Sequence, residues 1–150
     1  MSTDKHNDVF GPEGAIAKAM PGYESRPQQT QMYDAINKAL SHNKHIVIEA
    51  GTGVGKTFAY LIPVIKYAVA SKKPVIISTN TINLQEQIMY KDIPFLRKAL
   101  GLEFTAALCK GRSNYLCKRR LYKTIDNISH LFEVVADIEE LGKIRQWAQA

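Results

Sequence analysis

The feature that most constrains the fold of this chain is the stretch EAGTGVGKT at residues 49–57. Three glycines stand at every second position, and a lysine and a threonine follow them directly. Such glycines lower stability unless the backbone must take positive φ or come very close to another group. The β-branched run HIVIEA precedes the glycines, and the apolar stretch FAYLIPVIKYAVAS follows them. This order predicts a strand, a tight loop and a buried helix with an irregularity at Pro63.

A loop between a strand and a helix N-terminus is an anion site, because free backbone N–H groups and the positive helix end point to one place. Glycines remove the Cβ atoms that would keep a phosphate away. A lysine reaches the outer phosphates, and a threonine hydroxyl can bind Mg²⁺. The pattern is the phosphate loop G-x-x-x-x-G-K-[ST] with alanine in its first position. We predict that a nucleoside triphosphate with Mg²⁺ binds to Ala50, Gly51, Thr52, Gly53, Val54, Gly55, Lys56 and Thr57.

Predicted strands and helices alternate after the loop. PVIIST at 74–79 predicts a second strand, residues 80–100 a second helical stretch interrupted near Pro94, and EFTAALCK at 103–110 a third strand. Such alternation implies right-handed crossovers and a parallel sheet with helices on its faces. The predicted fold class is therefore α/β.

Before the loop, the pattern is helical. Residues 1–13 are polar and predicted to be frayed, with GPEG as a turn, and AIAKAM predicts a short helix that ends at Pro21. Further on, Met32, Ile36 and Leu40 are spaced as one apolar face of a helix.

Composition narrows the range of partners. The chain has 150 residues and a net charge of +6, and residues 51–100 carry seven Lys and Arg against two Asp and Glu. This excess favours an anionic partner such as a nucleotide or nucleic acid. The sequence has no apolar run long enough to span a membrane and no secretory signal, so we expect a cytoplasmic protein without membrane contact. Two cysteines exclude a disulfide framework.

The phosphate loop also carries a family resemblance. A-x-x-G-x-G-K-T is typical of superfamily two helicases, and EAGTGVGKTFAYLIP resembles the iron–sulfur branch that includes DinG, YoaA and XPD helicases. The resemblance covers roughly residues 14–123. It implies a RecA-like domain, of which this chain holds the N-terminal part. Residues 1–22 would be an N-terminal extension, 23–112 the first part of the ATP-binding domain, and 113–150 the start of a helical iron–sulfur insertion.

The same resemblance implies an activity. The whole protein would be an ATP-dependent DNA helicase that moves 5′ to 3′ on single-stranded or forked DNA and acts as a monomer. Its catalytic pair in this chain would be Lys56 and Thr57. The alternative is a binding module for nucleotide or nucleic acid that has no catalysis, or a truncated, inactive gene product.

A second motif lies upstream of the loop. YESRPQQTQM resembles the helicase Q motif, in which Arg26 and Gln29 would read adenine. A glutamine amide offers both a donor and an acceptor to the purine edge. Gln28 and Gln31 are less favoured substitutes, and a glutamine-rich start of a surface helix is the alternative.

A third motif follows the second strand. VIISTNTINLQEQ resembles motif Ia, whose hydroxyls and free amides contact the backbone of single-stranded nucleic acid. The candidate contacts are Ser78, Thr79 and Asn80. We also expect one of these three side chains to cap the following helix.

The fourth motif, KGRSNYLC, resembles a stretch whose cysteine is the first of four ligands to a [4Fe–4S] cluster. Here that residue is Cys117, and the other three ligands would lie outside the chain. Cys109, at the end of the third strand, is predicted to be a buried thiol. Lys110 and Arg112 are candidate contacts to nucleic acid, and further basic residues with interleaved tyrosines suggest a groove for a single strand. A solvated basic turn is the alternative. These further residues are Tyr115, Lys118, Arg119, Arg120, Tyr122 and Lys123.

Hydrolysis of ATP also needs an acidic motif, which in this family reads D-E-A-H. The nearest candidate is VVADIEE at 134–140. An amphipathic helix is predicted there instead, because five apolar residues follow helical spacing, namely Leu131, Val135, Ile138, Leu141 and Ile144. Because the chain then stops at Ala150 without a capping signal, we expect an N-terminal piece of a longer helicase that alone binds nucleotide weakly and hydrolyses little ATP.

Overall fold

The computed structural model describes residues 6–127 and 134–149, and their regular secondary structure is helical. The chain divides into two compact units, Met1–Leu108 and Cys109–Ala150. The first unit holds α1 (His6–Phe10), α2 (Ala15–Ala19), α3 (Pro27–Ser41), α4 (Lys56–Ser71), α5 (Ile82–Gln87), a π-helical segment (Ile88–Asp92) and α6 (Ile93–Leu100). The second holds a 3₁₀ turn (Arg112–Asn114), α7 (Lys118–Asp126) and α8 (Val135–Gln149).

The N-terminal residues fold against the core. Val9 and Phe10 of α1 and Ile16 of α2 are fully buried. The prediction of a frayed segment is therefore wrong for residues 6–13, while residues 1–5 lie outside the described residues. GPEG forms the expected turn, in which the Gly14 N–H donates to the Gly11 carbonyl at 2.9 Å. Two short helices around this turn place three apolar side chains in the core.

The core centres on α3 and α4, which pack against each other. Leu61 and Ile62 of α4 and Tyr33 of α3 are fully buried. An aliphatic side chain such as that of Leu61 or Ile62 contributes about 1.5–3 kcal/mol when it is buried in this way. Pro63 is buried within α4, which runs without a break from Lys56 to Ser71. On α3 the predicted face of Met32, Ile36 and Leu40 is only half-buried, and the fully buried residues are Gln29, Tyr33 and Ala39.

The second helical stretch is interrupted just before Pro94, as predicted. The chain passes from α5 through five π-helical residues into α6. Proline has no backbone N–H to donate, and wide turns of this kind absorb such local changes in the hydrogen-bond ladder. Stacking of Phe95 on Phe58, with ring centroids 5.4 Å apart, packs α6 against α4.

The three predicted strands are not paired in the described part of the chain. Residues 44–50, 73–79 and 102–110 carry neither helix nor strand, so the helices of the α/β pattern are present and the sheet is not. Residues 102–108 nevertheless alternate in burial, since Leu102, Phe104 and Ala106 pack on the core and the residues between them are exposed. A period of two is the side-chain pattern of a strand with one covered face.

In the second unit, α7 packs against α8. The predicted helix around residues 134–144 is confirmed, beginning at Val135, while Leu131 lies outside the described residues. Much of α8 is exposed, including Val135 and Trp147. Within residues 6–127 and 134–149, no helix is both long enough and apolar enough to cross a lipid bilayer.

Candidate nucleotide-binding site

The phosphate loop has a backbone that glycine alone adopts readily. Gly53 and Gly55 have φ angles of 78° and 80°, in the left-handed region that disfavours residues with a Cβ. α4 begins at the next residue, and no side chain caps its first turn. The free N–H groups and the positive end of α4 therefore stand at the glycine loop, as an anion site requires.

Lys56 lies over the loop that precedes it. Its Nζ donates to the Ala50 carbonyl at 3.0 Å and to the Gly51 carbonyl at 2.6 Å. Position 50 thus contributes a main-chain oxygen, which alanine supplies as well as glycine does. An ammonium group has three protons, so Lys56 can bind a phosphate oxygen while it keeps a bond to the loop.

Thr57 lies in the first turn of α4 and is half-buried. Its side chain lies close enough to the Tyr60 hydroxyl to lower the pKa of that group. Burial raises the pKa of Tyr60, although the proximity of Thr57 lowers it, and the nearby charge of Asp92 raises it further. Tyr60 therefore stays neutral around pH 7. Binding of Mg²⁺ by Thr57 stays a prediction.

Two side chains from the Q-motif region contact the loop. Arg26, which precedes α3, donates from Nη1 to the Gly53 carbonyl, and Gln29 donates from Nε2 to the Gly55 carbonyl at 3.0 Å. Gln29 is 3% exposed, whereas its neighbours Gln28 and Gln31 are exposed. The structure therefore brings the two predicted adenine readers to the phosphate loop, where both contact the main chain of a glycine.

A residue larger than glycine at position 55 would have to displace the end of the Gln29 side chain. A Cβ added to Gly55 would lie 2.3 Å from Gln29 Nε2, a distance that real Cβ atoms do not show. Gly55 is thus favoured by its φ angle and by the glutamine beside it. The same addition at Gly53 would meet nothing within 4 Å.

Tyr23 is the residue of this site that sequence reasoning missed. Its hydroxyl donates to Gln29 Oε1 at 2.6 Å. Burial raises the pKa of Tyr23, although the charge of Arg26 and a hydrogen bond with Ser25 lower it, so the hydroxyl keeps its proton around pH 7. The sequence offers only one sign of this role, a tyrosine six positions before Gln29. That spacing alone does not connect Tyr23 to the phosphate loop.

A cleft of about 240 Å³ opens beside these residues. Apolar groups stand next to a few polar ones in it, which is the usual composition of a small-molecule site. Its lining residues are Met20, Gly22, Tyr23, Glu24, Arg26, Gln29, Gly55 and Phe58.

The candidate nucleic-acid contacts of motif Ia lie just before α5. Ser78 and Asn80 are exposed, and Thr79 donates from its hydroxyl to the Thr81 carbonyl at 3.2 Å. The capping residue is Thr81, whose Oγ1 accepts from the Leu84 N–H at 3.3 Å. The expectation that residue 78, 79 or 80 caps the helix is therefore wrong, because α5 begins at Ile82, after the predicted start of this helical stretch at residue 80. Contact with nucleic acid stays a prediction for Ser78, Thr79 and Asn80.

In the second unit, KGRSNY folds into a tight turn. The Lys110 N–H donates to the Tyr115 hydroxyl at 2.8 Å, and Asn114 Nδ2 donates to the Gly111 carbonyl at 3.3 Å. Arg112 and the basic residues of α7 are exposed, so they are available to an anionic partner. These basic residues of α7 are Lys118, Arg119, Arg120 and Lys123.

Cys117 is exposed and stands at the N-terminus of α7. The backbone N–H of Arg120 lowers the pKa of this thiol most, and the charges of Arg119 and Arg120 lower it further. A thiolate ligand is favoured by such surroundings. Cys109 is exposed as well, so the prediction of a buried thiol is wrong; it follows Leu108 on the uncovered side of the alternating segment.

The described residues do not complete a cluster site. In residues 6–127 and 134–149, no three His, Cys, Asp or Glu side chains are grouped so that they could hold a metal ion. A [4Fe–4S] cluster needs four thiolates, and Cys117 supplies one.

Comparison with known proteins identifies the family. The model of the DEAD/DEAH box helicases matches residues 26–147. This chain belongs to the DEAD/DEAH box helicases. The match begins at Arg26 and includes the phosphate loop, motif Ia and Cys117. Membership implies a RecA-like fold and the use of ATP and Mg²⁺.

Individual relatives of this helicase family agree with the match. The chain is 49% identical over 114 residues to a protein named ATP-dependent DNA helicase YoaA from Escherichia coli, covering 76% of this chain and 17% of that protein. It is 40% identical over 143 residues to YoaA from Haemophilus influenzae, covering 93% and 21%. It is 47% identical over 113 residues to a protein named 3′-5′ exonuclease DinG from Bacillus subtilis, covering 75% and 12%. The chain therefore spans about a fifth or less of these relatives.

Proposed function

We propose that this chain is the N-terminal portion of an ATP-dependent DNA helicase and binds the phosphates of ATP. The conformation of the phosphate loop and its contacts support the proposal. The phosphate loop has its left-handed glycines at positions 53 and 55, has Lys56 folded over it, and is bonded to Arg26 and Gln29. A chance glycine-rich turn would not need contacts from a segment 26 positions away.

In this proposal the phosphates bind at the N-terminus of α4. The free N–H groups of the loop donate to phosphate oxygens, Lys56 neutralises the outer phosphates, and Thr57 supplies its hydroxyl to Mg²⁺. Lys56 would exchange a bond to Ala50 or Gly51 for one to phosphate. Its starting position, bonded to loop carbonyls, keeps the ammonium close to the place where the charge is needed.

The base would occupy the cleft beside Tyr23. Gln29 uses one N–H for Gly55 and one lone pair of Oε1 for Tyr23. A glutamine amide has a second N–H and a second lone pair, which match the donor and acceptor edge of adenine. Readout of adenine by Arg26 and Gln29 is thus compatible with their contacts to the loop.

The α/β class also enters as a proposal. We infer that residues 44–50, 73–79 and 102–110 are strands of a parallel RecA-like sheet. The alternating burial after residue 102 supports this, as does the exposure of Val47 (99%) and Ile76 (92%), since β-branched side chains are rarely left so bare. Amide protection of these segments from hydrogen exchange would test the pairing.

The remaining roles belong to the whole helicase. We propose that Ser78, Thr79, Asn80, Lys110 and Arg112 bind single-stranded or forked DNA, that movement is 5′ to 3′, and that the protein is a cytoplasmic monomer. Cys117 would be one thiolate of a [4Fe–4S] cluster. The domain limits at residues 22 and 112 belong to the same proposal. Because no D-E-A-H sequence occurs in the 150 residues, we expect this chain to bind ATP without rapid turnover.

The absent acidic motif also favours the second candidate, a binding module without catalysis. DNA-stimulated ATP hydrolysis by the helicase that contains this chain separates the two. We expect stimulated turnover that Lys56→Ala abolishes, while Lys73→Ala, an exposed charge-matched control, leaves it intact. Turnover that survives Lys56→Ala would contradict the helicase proposal, and absence of turnover in the unaltered protein would favour the module.

A further inference from the structure

We infer that Tyr23 is a positioning residue, which fixes the Gln29 side chain and through it the Gly55 peptide at the mouth of the phosphate loop, and that α1 supports it through Phe10. This inference rests on the proposed function, because it assigns the effect to ATP binding. Tyr23 and Phe10 both precede the residues matched by the helicase family model.

The first step is the orientation of the amide. The Tyr23 hydroxyl donates to Oε1 of Gln29 at 2.6 Å, and this places Nε2 on the opposite side, where it donates to Gly55 at 3.0 Å. A flipped amide would set Oε1 against the Gly55 carbonyl, two acceptors without a proton between them. The Gly55 carbonyl, which can only accept, therefore sets the orientation of the amide, and the Tyr23 hydroxyl holds the amide in that orientation by donating to Oε1.

The peptide between Gly55 and Lys56 links Gln29 to the phosphate site. Its carbonyl accepts from Gln29 and also from the Ala59 N–H at 3.2 Å. The peptide is planar and trans, so its N–H points away from Gln29. This N–H belongs to Lys56 and is one of the free donors at the start of α4. Holding the carbonyl thus holds the direction of a donor available to phosphate.

The third step is the support of Tyr23 itself. The fully buried Phe10 stacks on the Tyr23 ring, with centroids 6.5 Å apart and planes 28° apart. Phe10 also meets Tyr33 edge-on, with centroids 5.4 Å apart. A contiguous chain of contacts therefore runs from α1 through Tyr23 and Gln29 to the loop.

The structure offers a matched control. Tyr33 packs on the same phenylalanine, but its buried hydroxyl makes no hydrogen bond within the described residues. Tyr33→Phe and Tyr23→Phe thus remove the same atom from two tyrosines around one ring. Of these two hydroxyls, only that of Tyr23 is bonded to Gln29, the residue that contacts the phosphate loop.

Two measurements on the 150-residue chain test the inference. The first is the Kd for ATP with Mg²⁺. We expect Tyr23→Phe to raise it roughly 3- to 10-fold, the effect of one part-buried hydrogen bond, with Tyr33→Phe unchanged and Phe10→Leu raised about 2-fold. The second is hydrogen exchange of the Gln29 side-chain amide, followed by NMR without nucleotide. We expect exchange to speed up in Tyr23→Phe and to stay slow in Tyr33→Phe.

The outcomes separate this inference from the proposed function. Unaltered protein that does not bind ATP overturns the proposed function, whereas faster amide exchange in Tyr23→Phe still supports the positioning role. An unchanged amide in Tyr23→Phe overturns the positioning role, and so does an unchanged Kd in a protein that binds ATP. Equal effects of Tyr23→Phe and Tyr33→Phe on Kd overturn it too. If Tyr23→Phe does not fold, Phe10→Leu with an unchanged Kd and an unchanged amide overturns it.

Discussion

Gln29 donates its side-chain N–H to the carbonyl of Gly55 at 3.0 Å, across 26 positions of the sequence. This single bond ties the start of α3 to the turn where α4 begins. The bond is part-buried and Gln29 itself is buried, and a buried donor left without its acceptor costs about 1–3 kcal/mol. The shape of the phosphate loop therefore depends on a residue outside it.

The first prediction concerns Gly55. We expect Gly55→Ala to lower the free energy of unfolding by about 2 kcal/mol, because the left-handed φ costs about 1–2 kcal/mol and the new Cβ would displace Gln29 Nε2 from its bond to the loop. Gly53→Ala should lose only the first of these contributions, since its Cβ meets nothing within 4 Å. Urea unfolding measures both. Equal losses in the two variants would show that the Gln29 contact does not restrict position 55.

The second prediction concerns the unpaired hydroxyl in the core. Tyr33→Phe removes a buried oxygen that has no hydrogen-bond partner in the described part of the chain. We expect the variant to unfold at higher urea, with a gain of up to about 1 kcal/mol. A loss of more than about 1 kcal/mol would mean that the hydroxyl has a partner in solution.

The third prediction concerns the cap of α5. Thr81→Ala removes the oxygen that accepts from the Leu84 N–H, and such caps contribute about 0.5–2 kcal/mol. Ser78→Ala, the control on the same segment, should change stability by less than about 0.5 kcal/mol. Thermal unfolding of the two variants checks this difference. If Ser78→Ala were the more damaging, the helix would begin earlier than the structure has it.

Particular residues show how far sequence reasoning reaches. The glycines, Lys56 and Gln29 were predictable because spacing along the chain encodes their chemistry. The cap of α5 and the burial of Cys109 were predicted wrongly, because the start of a helix and the covered face of an alternating segment cannot be placed to the residue from sequence. Such errors lie within the ordinary uncertainty of element boundaries.

Other features depend on contacts between distant residues. Tyr23 gains its role from a bond to Gln29 and a ring from α1, and neither leaves a periodic pattern. Residues 1–13 were predicted to be frayed because they are mostly polar, whereas the burial of Val9 and Phe10 depends on contacts with the rest of the core. Pairing of the predicted strands is non-local as well, so an apolar run alone does not establish a sheet.

The fourth prediction concerns the thiol of Cys117. Its pKa lies below the ordinary value of 9.0, chiefly because the Arg120 N–H stabilises the thiolate. In a Cys109→Ser background, alkylation should therefore reach half its maximal rate at a pH below 9.0. Arg119→Ala should move this midpoint upward only slightly, since its charge is a lesser cause. A midpoint above 9.0 would contradict the assigned surroundings of this thiol.

The central claim is that the loop ending in Lys56 and Thr57 binds the phosphates of ATP. It is tested most directly by titrating the 150-residue chain with ATP and Mg²⁺ in a calorimeter, beside Lys56→Ala and the exposed control Lys73→Ala. We predict saturable binding that Lys56→Ala weakens at least about 10-fold, equivalent to 1.4 kcal/mol or more, and that Lys73→Ala leaves unchanged. Binding of equal strength in all three proteins would contradict the claim.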